Sequence, residues 1–111
     1  MNPVRTEPTE AEFTDQVIAF ARLHRWRVAH FRPAKTSRGW RTPVQGDGKG
    51  FPDLVLVRGL RLVFAELKVG RNKTSPEQGG WIAALMGANQ SMFVWYPGDW
   101  PNIERILGGT A

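Results

Sequence analysis

Two runs rich in Val, Leu and Phe, residues 53–58 and 61–68, stand on either side of Gly59-Leu60. Apolar runs of this length read as strands, and a two-residue connector with Gly first is what a type II′ hairpin turn requires. The turn sets the register. With Gly59 and Leu60 at the corner, Arg58 pairs with Arg61, Leu56 with Val63, and Asp53 falls opposite Glu66. Directly opposed residues share a face of the sheet, with Cβ atoms about 4.5–5.5 Å apart. Strand alternation then puts Lys68 on the face of Glu66. One face should therefore carry two carboxylates and an amine, among the apolar neighbours Leu54, Val55, Phe64, Ala65 and Leu67. A slip of one residue would move Glu66 to the other face, so the site depends on this register.

The remaining elements follow from caps and periodicity. Thr9 with Glu12 three residues later has capping-box spacing and opens a helix from about Glu10 to about Arg25. Phe13, Val17, Phe20, Ala21 and His24 recur on one side of it. Trp26 to Phe31 reads as a short strand with Trp26, Val28 and His30 on one face. Arg32 to Gly50 reads as a long loop, rich in Pro, Gly and charge, of the kind that is functional or mobile. Ser75, Pro76 and Gln78 supply an N-cap, a first-position proline and a capping-box glutamine. That helix passes through Trp81, Ile82 and Leu85 and ends near Gly87. Ser91 to Tyr96 is a further strand, and about Pro101 to Leu107 a last short helix. There is no internal repeat. The order helix, three strands, helix, strand, helix predicts an α/β or α+β fold, a mixed sheet flanked by helices in a single domain over residues 1–111.

A length of 111 residues suits one core and not two. The absence of cysteine excludes disulfides and thiolate metal sites and fits a reducing, cytoplasmic setting. Arg58, Arg61, Glu66 and Lys68 interrupt the longest apolar stretch, so no membrane span is expected. The opening MNPVRTEPTEAE has no apolar signal core. The formal charge is +5, but its distribution matters more: no acidic residue stands between Asp15 and Asp47. That stretch holds Arg22, Arg25, Arg27, Arg32, Lys35, Arg38 and Arg41 with His24 and His30, and Trp26, Phe31 and Trp40 are interleaved. Cations with aromatic rings suit a nucleic-acid backbone, since charges displace condensed counterions and rings stack on bases. The plainer alternative is a solvated basic face.

Two carboxylates held close repel, and the repulsion grows as water leaves. Lys68 alone could offset it, as a structural ion cluster. A hard divalent cation could do so too: Mg²⁺ favours one or two carboxylates and takes substrate phosphate oxygens as further ligands. It would polarise the phosphoryl group and acidify a water, with Lys68 orienting that water or offsetting charge on the phosphate.

The segments GFPDLVLV, FAELK and TSPEQGGW resemble the virus-type replication-repair nuclease (VRR-NUC) domain, part of the PD-(D/E)xK nuclease superfamily. The superfamily motif reads here as Pro52-Asp53 followed by Glu66-Leu67-Lys68, and the likeness extends upstream through EAEFTDQVIAFARLHRWRVAHFRP, covering about Glu10 to Trp100. The resemblance implies a restriction-endonuclease-like core and Mg²⁺- or Mn²⁺-dependent hydrolysis of DNA, with one or two ions. By similarity Asp53, Glu66 and the Leu67 carbonyl would be metal ligands and Lys68 the catalytic lysine. Glu12 would match the first-helix glutamate near the metal, and Gln78 the glutamine that opens the helix after the lysine strand. Stand-alone members resemble Holliday junction resolvases and tend to be homodimers, so branched DNA is the expected substrate. Gly79-Gly80 departs from the pattern, because Gly is a poor helix former.

Several of these residues carry a second reading. Glu12 and Gln78 both have the spacing that caps their own helices, which does not exclude a site role. His30, at a strand end, is either a structural group or a contact to DNA. Gly46 to Gly50 fails the phosphate-loop template, because no Gly stands five residues before Gly48 and Gly50 replaces the Ser or Thr after Lys49. It reads as a flexible loop able to close over DNA, with Lys49 a phosphate contact. Trp81, Trp95 and Trp100 read as core or dimer contacts, whereas Trp40, in the polar loop, is the better base-stacking residue. Arg32, Lys35, Arg38 and Arg41 are the expected backbone contacts. Three functions compete: a structure-selective endonuclease, a nucleic-acid-binding module without catalysis in which Asp53, Glu66 and Lys68 form an internal ion cluster, and a restriction-type enzyme. The length leaves little room for the recognition domain of the third.

Overall fold

The computed structural model describes residues 7–31, 34–36, 39–41 and 44–109. Helix α1 spans Glu10–Leu23 and opens with the expected capping box. The Thr9 hydroxyl accepts the Glu12 N–H at 3.2 Å, and Glu12 Oε1 accepts the Thr9 N–H at 2.8 Å. The helix stops two residues earlier than expected. His24 closes it, and Arg25 turns left-handed with φ 70°. This turn sends Trp26 into the core, with its backbone N–H donated to the Ala21 carbonyl.

Strand β1 is Arg27–His30, β4 is Leu54–Arg58, β5 is Arg61–Leu67 and β6 is Ser91–Trp95. They form one sheet in the order β1-β4-β5-β6. The first three are antiparallel neighbours, and β6 runs parallel to β5 after a crossover through helix α2, Pro76–Gly87. A short 3₁₀ turn, Pro97–Asp99, leads into helix α3, Trp100–Gly108. The fold is thus α+β, with a four-stranded mixed sheet and three helices. Among the described residues no helix is long and apolar enough to cross a membrane.

The expected loop from Arg32 to Gly50 is not structureless. It holds a second sheet, in which β2 (Ala34–Thr36) pairs antiparallel with β3 (Gly39–Arg41). Strands of three residues are too short to display alternation, and this pairing is made by the backbone, so composition did not reveal it.

The turn at Gly59-Leu60 has Gly59 at φ 60°, and the register runs from Arg58↔Arg61 through Leu56↔Val63 to Leu54↔Ala65, as the turn requires. Alternation therefore puts Leu54, Leu56, Val63, Ala65 and Leu67 on one face, and all five are buried. Phe13, Val17 and Ala21 of α1, Ile103 and Leu107 of α3, Trp26 and Trp95 complete that core. Each such fully buried aliphatic or Phe side chain contributes on the order of 1.5–3 kcal/mol. On the other face Phe51 packs edge-on to Phe31, Phe64 and Trp81, with ring centroids 5.2, 6.2 and 4.9 Å away. This cluster ties the end of β1, the middle of β5 and the first turns of α2 together around one end of the sheet.

Candidate active site

At that end β4 begins and β5 finishes. Asp53 stands one residue before β4, and its carbonyl accepts the Phe31 N–H at 2.9 Å, which continues the ladder to β1. Its carboxylate Oδ2 accepts the backbone N–H of Leu67 at 2.8 Å. Glu66, on the neighbouring strand, is only 2 % exposed. Glu66 Oε2 accepts a hydrogen bond from Gln78 Nε2 at 2.7 Å and lies 3.5 Å from Lys68 Nζ. The Lys68 backbone N–H is donated to the Trp95 carbonyl at 2.9 Å, so β6 holds the strand end that carries the amine. The three side chains that hairpin register predicts on one face are brought together.

Gln78 caps its helix and also reaches Glu66. Its Oε1 accepts the Ser75 N–H at 2.8 Å, and the Ser75 hydroxyl accepts the Gln78 N–H at 3.2 Å, which completes the capping box. The amide nitrogen left over is the one that holds Glu66. Gly79 and Gly80 do not unwind this turn, since Gly79 N–H reaches the Ser75 carbonyl at 2.8 Å. The turn is also buttressed from outside. Gly50, at φ 84°, lies so close that a Cβ there would fall 2.5 Å from the Glu77 carbonyl carbon and 2.7 Å from the Gln78 nitrogen.

These groups open into a cavity of about 320 Å³. Asp53, Glu66, Lys68 and Gln78 line it from the sheet and α2, His30 and Phe31 from the end of β1, and Glu10, Ala11, Thr14 and Asp15 from α1. Glu12 is not among the lining residues; its carboxylate is engaged at the Thr9 cap. Helical geometry gives the reason. At about 100° per residue, Glu10 and Thr14 share a face, Ala11 and Asp15 lie beside them, and Glu12 points elsewhere. Glu10 and Asp15 were not singled out from sequence, although their i, i+4 partners Thr14 and Ala11 are the signal that groups them.

The electrostatics follow from burial. Removal from water first, and the Asp53 charge second, push the Glu66 carboxyl up to about 8. Burial also raises Asp53, against the Leu67 N–H, a hydrogen bond with Glu66, and the charges of Lys68 and His30, which favour its charged form. Both shifts favour one proton held by the pair of carboxyls. Glu66 Oε1 is buried and has no hydrogen-bond donor. A buried carboxylate oxygen without a partner is costly, and either a proton or a cation relieves it. Among the described residues no three His, Asp or Glu side chains converge as a metal-binding group. Two carboxylates beside an open cavity fit a hard divalent cation that keeps water and phosphate oxygens as its other ligands.

The other expected contacts fall differently. His30 is exposed at the cavity mouth. Lys49 lies on the other side of α2, 3.3 Å from Glu77. It lines a separate groove with Gly46, Asp47 and Trp81, whose indole N–H is donated to the Asp47 carbonyl at 2.8 Å. Lys35, Trp40 and Arg41 stand in the β2–β3 pairing, with Lys35 opposite Trp40 and Arg41 opposite Ala34. Arg32 and Arg38 lie outside the described residues. Trp95 is a core residue and Trp100 packs on Phe20 at its rim, whereas Trp81 is half-buried against Phe51. No family model matches the chain and no curated protein matches it.

Proposed function

We propose that the protein is a metal-dependent, structure-selective DNA endonuclease of the VRR-NUC kind, with a restriction-endonuclease-like core. The observation that carries this reading is the buried Glu66 Oε1, left without a donor beside Asp53 in a cavity that also presents Lys68. Asp53, Glu66 and the Leu67 carbonyl would hold one or two Mg²⁺ or Mn²⁺ ions. Bound there, the cation supplies Lewis-acid polarisation of the phosphoryl oxygens and a more acidic water. A proton held by the carboxyl pair would compete with the cation for the same oxygens. The Gln78 amide holds the Glu66 carboxylate in one orientation throughout. Lys68, fixed by its backbone bond to Trp95, orients the attacking water and offsets charge as the phosphoryl oxygens gain it. Glu10 and Asp15 face the same space and add negative potential that favours a cation over an empty site. Branched DNA as substrate, a homodimer and a cytoplasmic location belong to the same reading.

A binding module without catalysis is the second reading, favoured by the Glu66–Lys68 pair at 3.5 Å, which resembles an internal ion cluster. It leaves unexplained why four acids line a pocket meant for phosphates. The deciding experiment is cleavage of labelled four-way junction, flap and linear duplex DNA in Mg²⁺, Mn²⁺ or EDTA. Metal-dependent cutting is expected, and both Lys68→Ala and Asp53→Ala should abolish it while DNA binding persists. Retained DNA binding with no cutting of any substrate would replace the enzyme with the binding module.

A further inference from the structure

The cavity is acidic, yet its proposed substrate is a polyanion, so cations outside the carboxylate pair must hold the backbone. The structure sorts the cations by what they already do. Arg58 and Arg61 are bound to helix carbonyls, Lys49 to Glu77, Lys68 to Glu66 and Arg105 to Asn102. Among the described side chains this leaves Arg22, Arg25, Arg27, Arg71 and Lys73 with no hydrogen bond or ion pair, all of them exposed.

These five divide by position. Arg22, Arg25 and Arg27 cluster where α1 ends and β1 begins, at the end of the sheet where Arg27 pairs with Val57 beside the Gly59-Leu60 turn. Arg22 is twelve residues along α1 from Glu10, or roughly 18 Å at 1.5 Å per residue. Arg71 and Lys73 instead lie in the connection from β5 to α2, which starts at Lys68 and ends at the Ser75 cap that positions Gln78. Both ends of this connection are site residues. Three virtual bonds keep the Arg71 Cα within about 11 Å of that of Lys68. The connection is also held in shape: the Asn72 N–H reaches the Val69 carbonyl at 3.2 Å, and the Tyr96 hydroxyl is donated to the Asn72 carbonyl at 2.6 Å. Glu7, which approaches Gly70, pairs with neither cation.

We propose that this pinned turn, residues 69–73, grips the DNA backbone beside the scissile phosphate through Arg71 and Lys73, and that the arginines at the far end of α1 take no part. The proposal rests on the nuclease reading for its substrate but on the fold for its location. Each cation that neutralises a phosphate releases condensed counterions, which steepens the fall of affinity with salt by about 0.9 in log K against log salt.

The test measures binding of one labelled four-way junction in EDTA across a salt series. The variants are Arg71→Ala/Lys73→Ala and, as a control, Arg22→Ala/Arg27→Ala, with thermal melts of each to verify folding. The first pair should flatten the slope by about 1.8 for each chain bound to the junction, two contacts' worth, and the control pair should leave it unchanged. An unchanged slope in Arg71→Ala/Lys73→Ala, equal flattening in both pairs, or no binding by the unsubstituted protein overturns the proposal. Metal-dependent cutting together with an unchanged slope would sink this inference and leave the nuclease standing. A flattened slope without cutting would do the reverse.

Discussion

Glu66 is the residue on which the energetics of the site turn, because it is buried, beside another carboxyl, and short of one donor. Its carboxyl moves from an ordinary 4.5 to about 8 in the fold. Below about pH 4.5 the folded and unfolded chains both carry the proton, and the site costs nothing. Between about 4.5 and 8 the folded chain holds a proton that the unfolded chain has lost, so stability falls as pH rises, by at most about 1.4 kcal/mol per unit. Above about 8 the full cost of two buried charges is present. Urea unfolding in EDTA should therefore show a midpoint that declines from pH 5 to pH 8.5, and Glu66→Gln should flatten that decline. A wild-type midpoint that rises over this range would contradict the assignment. Asp53, also raised by burial, acts in the same direction.

At the scale of elements, α1 and α2 open with the same local device and put it to different uses. In α1 the third residue is glutamate, whose two oxygens only accept, and Glu12 caps Thr9. In α2 it is glutamine, which accepts from Ser75 with its oxygen and has an N–H left to hold Glu66. The cap thereby positions the amide that holds Glu66, so anything that shifts the first turn of α2 should reach the carboxylate pair. Gly50 is the place to push. Ala there would adopt a left-handed φ and drive its Cβ into the backbone at Glu77 and Gln78. Gly50→Ala is expected to cost about 1–3 kcal/mol in urea unfolding and to lower cleavage in the remaining folded protein. Unaltered stability would show that the loop yields freely and does not brace the helix.

At the scale of the whole molecule, the far end of the hairpin closes the fold. Arg58 and Arg61 are directly opposed, and like charges there should repel. Both instead reach the carbonyl ends of helices. Arg58 donates to His24, Leu107 and Gly109, and Arg61 to Ile106, where the dipoles of α1 and α3 are negative. Both guanidinium groups also lie over the Trp26 ring, at 4.8 and 5.0 Å, and the Trp26 indole N–H is donated to Leu107. Arg58→Ala should therefore destabilise the protein by about 2–3 kcal/mol in thermal melts, since it strips charged donors from half-buried carbonyls. Cleavage per folded molecule should be unchanged, because the carboxylate pair sits at the other end of the sheet. A melting point within error of wild type would show the arginines to be solvated decoration.

Short-range rules decided the parts of this protein that a reader of the chain can work out. A two-residue turn at Gly59-Leu60 admits one register, and that register alone brings Asp53, Glu66 and Lys68 to one place. Both capping boxes likewise depend on atoms three residues apart. What the chain did not disclose depends on how distant elements dock. The angle at which α1 meets the sheet selects Glu10 and Asp15 over Glu12 for the cavity. The docking of α2 beside the sheet brings the Gln78 amide to Glu66. Only the folded whole separates cations committed to carbonyls and carboxylates from those left free, and only position in the fold separates free Arg71 and Lys73, beside Lys68, from free Arg22, Arg25 and Arg27 at the other end of α1. The physical reason is that turn geometry and helix caps are satisfied within a few residues of backbone. Burial, and the pairing of charges across the molecule, exist only once the core has set the elements against one another.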